Sequence, residues 1–217
     1  AAEGVASAEE ATTWAEAQKK RLYEIYDQTH KSKEEWELHE LTPLAPGVMP
    51  QDLPPTGVNL TALEQVVTGA TAFPADFTVH PKLTKLVEKR ATALRENAID
   101  WATAEMLAFG SLILEGTSVR LSGQDAGRGT FSHRYAEYHD YENDRVYSPL
   151  AHVAPGKARF EVYNSPLSEY GVMGFEFGYS VADPLSLVLW EAQYGDFVNG
   201  AMIIIDQFLV SAESKWG

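Results

Sequence analysis

Apolar positions follow two different spacings along this chain. Up to Gly116 they recur at helical intervals; beyond it, short apolar runs alternate with helical ones. Residues 7–30 carry a partial stripe of Trp14, Leu22, Ile25 and Tyr26, and Ser7 is followed three residues later by Glu10, a capping-box pattern. Residues 31–41 are charged and continue as helix or loop. Residues 42–58 contain five prolines. Proline fixes φ and removes a backbone donor, so this stretch is an extended surface connector, with an ordered lid as the alternative. Asn59 or Thr61 caps a short helix that reaches Thr68. Pro81 opens a second, Lys82–Asn97, with Leu83, Leu86, Val87, Ala91 and Leu94 on one face. Asp100 caps a third, Trp101–Glu115, which stops at Gly116. Its small apolar face, Ala104, Leu107, Ala108 and Ser111, suits close packing on a sheet.

After Gly116 the pattern predicts strands at Ser118–Ser122, Phe160–Tyr163 and Leu187–Trp190, and helices at Ser168–Ser180 and Asn199–Glu213. This order argues for an α/β fold with a parallel sheet covered by helices on both faces. The polar segment Gly123–Arg159 is too long for a plain connection, so it is functional or hides further elements. Two domains result: a helical arm with its proline-rich connector over 1–58, and an α/β domain over 59–217.

Charge and composition remove several function classes. Lys and Arg total 17 against 31 Asp and Glu, a net charge of −14. The longest basic run is Lys19-Lys20-Arg21, so no patch for nucleic acid is expected. There are no cysteines, which removes disulfides, zinc–thiolate sites and thiol nucleophiles. The longest apolar run, Ala201–Ile205, falls far short of the roughly 20 residues of a membrane helix. His30, His39, His80, His139 and His152 show no metal-ligand spacing, so no metal is assigned to this chain. Gly127-Arg128-Gly129 is followed by Thr130-Phe131-Ser132, which is not a dinucleotide fingerprint.

Glu169 stands in the first turn of a predicted helix, where the macrodipole favours a carboxylate; a structural role alone would explain it. Leu167 at the same helix start reads as core. Tyr194 and Phe197, between a strand and a helix, likewise read as core aromatics. Gly123, Gly127 and Gly129 in Arg120–Tyr138 suggest a strand running into tight turns. Asp125 and Arg128 form a candidate ion pair in that loop, and His133 alone reads as an exposed loop histidine.

Three strings add a further reading: RLSGQDAGRGTFSHRYA from Arg120, NSPLSEYGVMGFEFGY from Asn164, and WEAQYGDFVNGAMIIIDQF from Trp190. Together they resemble the thiamine diphosphate-dependent E1 component of 2-oxoglutarate dehydrogenase, most strongly from His80 to Gly217. The resemblance implies a transketolase-like pyrimidine-binding domain. In it, Glu169 hydrogen-bonds the aminopyrimidine N1′ and so promotes loss of the thiazolium C2 proton, Leu167 props the cofactor into its bent shape, and Tyr194 and Phe197 flank the pyrimidine. The loop with His133 and Tyr135 faces the substrate. Tyr135 departs from the family, which has histidine there. A phenol donates a hydrogen bond but does not readily carry positive charge. Tyr194 stands where most members have phenylalanine.

The resemblance also implies cofactors and partners. Thiamine diphosphate is the cofactor. Its Mg2+ is held in the family by a Gly-Asp-Gly…Asn motif, and this sequence contains no Gly-Asp-Gly. The expectation is a fragment with an incomplete pyrimidine-binding domain, poorly soluble alone through an uncovered sheet edge. The implied parent is a homodimer that decarboxylates 2-oxoglutarate and passes succinyl to the lipoyl group of an E2 subunit, alongside E3. It would lie in a bacterial cytoplasm or a mitochondrial matrix. A 2-oxoadipate-type E1 and a catalytically silent binding module are the alternatives.

Overall fold

A computed structural model describes residues 6–31 and 55–216. Residues 32–54, which include most of the proline-rich connector, lie outside the described residues. The chain divides into two units, Ala1–Ala45 and Pro46–Gly217. The first holds helix α1, Ala8–Lys31, with the expected capping box: Glu10 N donates to Ser7 Oγ (3.1 Å) and Ser7 N donates to Glu10 Oε2 (2.8 Å). Its stripe of Trp14, Leu22, Ile25 and Tyr26 is exposed.

The second unit begins with α2, Leu60–Ala70. Asn59, not Thr61, caps it by accepting from Ala62 N at 2.8 Å. Helix α3 spans Pro81–Thr92, shorter than expected. Turns take over because Ala98 N reaches back to Ala93 O (2.9 Å) and Asn97 adopts a left-handed φ of 50°. Asparagine tolerates that region better than most residues. Helix α4, Trp101–Glu115, has both ends as read: Asp100 accepts from Thr103 N at 2.9 Å, and Gly116 closes the helix at φ 100°. The Lys89 ammonium, 2.7 Å away, leads the interactions that hold the Asp100 carboxyl well below the usual carboxylate range.

Three parallel strands form the sheet: β1, Val119–Gly123; β4, Phe160–Asn164; and β5, Leu187–Glu191, in the order β4-β1-β5. Side chains alternate across a strand, and here the two faces differ in chemistry. Val119, Leu121, Phe160 and Val162 join Met106, Phe109 and Ile113 of α4 and Val66 of α2 in the core. Arg120 points the other way and is bound by Glu176 of α5, Glu169–Ala182. Helices therefore cover both faces, as the sequence order suggested.

Between β1 and β4 lie elements the sequence concealed. A two-residue hairpin pairs β2, Tyr138–His139, with β3, Val146–Tyr147, and a 3-10 turn follows at Pro149–His152. The hairpin packs through aromatics: Phe73 meets Phe77, Tyr138 and Tyr147 at centroid distances of 5.5, 4.9 and 5.9 Å. Two further expectations are corrected. The final helix is broken into a 3-10 segment Gly195–Ala201, a short turn Met202–Ile204, a π segment Ile205–Leu209 and Ala212–Trp216. The π segment closes by Val210 N donating to Ile205 O (2.9 Å), a wider loop than the α-helical bond. Ala104 and Ala108 are exposed rather than packed on the sheet. They line an open depression of about 510 Å³ with Leu121 and Leu189, while α4 buries Ala102, Met106, Phe109, Gly110 and Ile113.

Gly110 is where α2 and α4 come closest. A Cβ there would lie 2.8 Å from Val66 Cγ2 and closer still to Cγ1, and Val66 is fully buried. Alanine favours a helix over glycine by about 1 kcal/mol. Overpacking a filled core costs about 1–3 kcal/mol and wins here, because a buried valine cannot swing away. Gly110→Ala is expected to lower the urea midpoint despite its better helix propensity.

Candidate functional site

The connections leaving β1 and β4 run over opposite faces of the sheet. The β1 connection passes through the 3-10 turn whose Leu150 joins the α4-side core, while the β4 connection is α5 on the other side. Such a divergence opens a crevice at the carboxyl ends of the strands, where α/β folds bind ligands. Here the crevice lips are tied together. Gly127 N donates to Asn164 Oδ1 (2.9 Å), and Ser165 N donates to Gly123 O (2.8 Å).

Glu169 stands at this crevice because it begins α5. Ser168 caps the helix by accepting from Gly171 N at 3.2 Å, which turns the chain after Leu167. The Glu169 carboxylate is half-buried. Its Oε1 accepts from Gln124 Nε2 at 3.1 Å, just beyond the end of β1. Its other oxygen lies beside Gly200, where a Cβ would stand 3.3 Å from Oε2. The neighbours found for Glu169 thus include a side-chain amide and a bare backbone. Gln124 was not singled out from the sequence; its only signal was its place in the string carrying the glycine turns.

Leu167 is 80% exposed, which corrects its reading as a core leucine. Tyr194 and Phe197 are also exposed rather than core. Their rings meet edge-to-face at 5.8 Å, and Phe131 meets Tyr194 the same way at 6.1 Å. Phe131 in turn sits 6.2 Å from the His133 ring. The loop after β1 and the segment after β5 thus share one aromatic cluster. Phe131, absent from the sequence-derived candidates, links them. Gln193 Nε2 adds a second tie by donating to Asp125 Oδ2 (3.2 Å), the oxygen that also accepts from Arg128 (3.2 Å) as expected.

His133 rests directly on Gly129. At Gly129, φ is 80°, and a Cβ would come 2.7 Å from His133 Nδ1, so only glycine fits. That Nδ1 is buried and has no hydrogen-bond partner among the described residues. Tyr135 is placed apart from His133. It lines a depression of about 390 Å³ with His80, Lys82, Arg128, Glu137 and Asn164, and neither Glu169 nor Tyr194 forms part of that wall. Burial pushes the Glu137 carboxyl up, against the pull of His139, and burial raises the Tyr138 phenol despite Arg90. Among the described residues no cluster of His, Asp or Glu is arranged to hold a metal ion.

Comparison with known proteins matches residues 97–217 to the family model described as transketolase, pyrimidine binding domain. The 2-oxoglutarate dehydrogenase E1 component of Rickettsia felis is 56% identical over 162 residues, 74% of this chain and 17% of that protein. The mitochondrial 2-oxoglutarate dehydrogenase of Caenorhabditis elegans is 50% identical over 168 residues, 77% of this chain and 16% of that protein. The E1 component of Bacillus cereus strain AH820 is 43% identical over 220 residues, which takes in 100% of this chain and 23% of that protein. The chain spans about a sixth to a quarter of the length of these relatives.

Proposed function

From the premise that this chain belongs to the transketolase pyrimidine-binding domain family, we propose that it forms the pyrimidine side of a thiamine diphosphate site in a 2-oxoglutarate dehydrogenase E1. The observation that carries this reading is the Glu169 carboxyl at the head of α5, with one oxygen held by Gln124 and the other beside Gly200. Bound thiamine diphosphate supplies the electron sink that 2-oxo-acid decarboxylation needs. The described residues fit its pyrimidine end. A carboxyl held through one oxygen keeps the other for the ring nitrogen N1′, and Gly200 adds no side chain to obstruct it. The exposed Leu167 offers an apolar prop, and the free faces of Tyr194 and Phe197 suit a flat heteroaromatic ring. They do not supply a site for the diphosphate and its magnesium, which this reading assigns to another part of the enzyme.

Each side chain then has one task. Glu169 holds and returns a proton at N1′. Leu167 excludes water and sets the approach angle. His133, backed by Gly129, faces the 2-oxo acid, while Tyr135 lines the separate depression with His80 and Asn164 and has no substrate contact in this reading. The acyl product goes to a lipoyl group on an E2 partner, with E3 completing the complex, and the enzyme works as a homodimer. Relatives from bacteria and from a mitochondrion support either a bacterial cytoplasm or a mitochondrial matrix. No helix among the described residues is long and apolar enough to cross a membrane.

The test is CO2 release by the full-length protein from 2-oxoglutarate, 2-oxoadipate and pyruvate, with and without thiamine diphosphate and Mg2+. The expected result is cofactor-dependent turnover with the highest kcat/KM for 2-oxoglutarate. A preference for 2-oxoadipate would reassign the substrate. Cofactor binding without turnover of any 2-oxo acid would replace the enzyme with a silent binding module.

A further inference from the structure

The loop that carries Phe131, His133 and Tyr135 is held in an unfavourable backbone shape. Asp125, Ser132 and Tyr135 all have left-handed φ values, at 56°, 53° and 42°. Such residues persist only where their surroundings over-determine them. Two buried arginines do so here. The Arg134 guanidinium donates through Nε and Nη2 to both oxygens of Glu105 on α4 (2.6 and 3.1 Å) and through Nη1 to Ala126 O (2.9 Å). It also grips both oxygens of Glu191 at the end of β5. Arg90 of α3, only 3% exposed, donates from one nitrogen to His133 O (2.7 Å) and Arg134 O (2.6 Å). Its other terminal nitrogen donates to Tyr138 Oη at 3.3 Å.

Arg134 thus fastens the loop to a helix and to the strand end three residues before Tyr194, while Arg90 fixes the peptide planes on either side of its Cα. The planar five-donor fork of arginine is what allows contact with two carboxylates and a carbonyl at once. We propose that Arg134, braced by Arg90, is a positioning residue that sets Phe131 against the Tyr194 ring and His133 beside Phe131. This rests on the thiamine-site reading above. Glu169 has a separate support in Gln124 and the Ser168 cap, so the clamp governs the substrate-facing loop and leaves the cofactor acid in place.

The experiment is Arg134→Lys in the full-length protein, with Glu191→Gln as a milder second variant and Gly110→Ala as a destabilised control away from the site. Lysine keeps the charge but cannot span both carboxylates. Misplacing a positioned group by about 1 Å can cost about a hundredfold. The expected result for Arg134→Lys is a loss of that order in kcat/KM for the 2-oxo acid, and for Glu191→Gln a smaller loss in the same direction. Thiamine diphosphate affinity stays unchanged, and amide exchange rises in residues 126–137 but not at the start of α5. If Arg134→Lys does not fold, Glu191→Gln carries the same readouts. Equal activity losses in these variants and in Gly110→Ala at matched stability would overturn the proposal, as would unchanged exchange in 126–137. Failure of the underlying reading looks different: the unsubstituted protein would itself turn over no 2-oxo acid.

Discussion

Glu169→Gln in the full-length protein is expected to lower 2-oxo-acid turnover by about 10²–10⁴-fold, the range for loss of a positioned proton-transfer group. That loss corresponds to roughly 3–5 kcal/mol of barrier. The fold should barely register the change. Glu169 is half-buried, and an amide oxygen in its place can still accept from Gln124. The first-turn charge that disappears is worth only about 0.3–1 kcal/mol through the helix dipole. Chemistry and stability therefore separate, and steady-state kinetics beside a thermal melt would show it. Turnover close to the unsubstituted protein would make Glu169 no more than a helix-start carboxylate. A parallel collapse of Tm would assign it a structural role.

The largest stability loss is expected at Glu176. This carboxylate is 4% exposed and sits on the α5 side of the sheet. Both of its oxygens accept from Arg120, from Nε at 2.7 Å and Nη2 at 3.0 Å. Arg120 is otherwise surrounded by the rings of Tyr163, Phe175 and Tyr179 at 4.5, 5.4 and 4.5 Å, with Glu161 at 3.7 Å. Removing one partner of a buried pair costs about 3–5 kcal/mol, and Glu161, farther from Arg120 at 3.7 Å and more exposed than Glu176, compensates the stranded charge only in part. Cation–π contacts return about 0.5–2 kcal/mol each at most, and they exist before and after the change, so they do not offset it. Against a typical domain stability of about 5–15 kcal/mol, Glu176→Ala should move the urea midpoint far down. Arg120→Met combined with Glu176→Ala removes the stranded charge and should recover most of the loss. If the double variant is as unstable as the single one, packing around Glu176 matters rather than the charge.

Much of this architecture could be read from the chain because local chemistry and tertiary role agree there. Asp100 and Gly116 bracket α4 as cap and stop, and both function within the helix itself. The strands were legible because their apolar residues are required by the core. Misreadings arose where a distant partner decides. The hairpin Tyr138–Tyr147 is too short to carry a strand pattern and is held by Phe73 and Phe77 from another part of the chain. Arg90 and Arg134 look like surface charges in sequence, yet each is buried because the other elements bring carbonyls and carboxylates to it. Ala104 and Ala108 were assigned to the sheet by their small size, but size does not say which face of α4 turns inward. In the candidate site, motif strings single out Glu169, Leu167, Tyr194 and Phe197, whereas the Gln124 contact and the Phe131 bridge depend on how two loops cross.

The most direct test is a structure of the full-length protein with thiamine diphosphate bound. The expected result is a Glu169 carboxyl oxygen within hydrogen-bond reach of the pyrimidine N1′, about 2.6–3.2 Å, with Leu167 against the cofactor and a ring of Tyr194 or Phe197 beside the pyrimidine. A cofactor whose N1′ faces another acid, with Glu169 bonded only to Gln124, would contradict it.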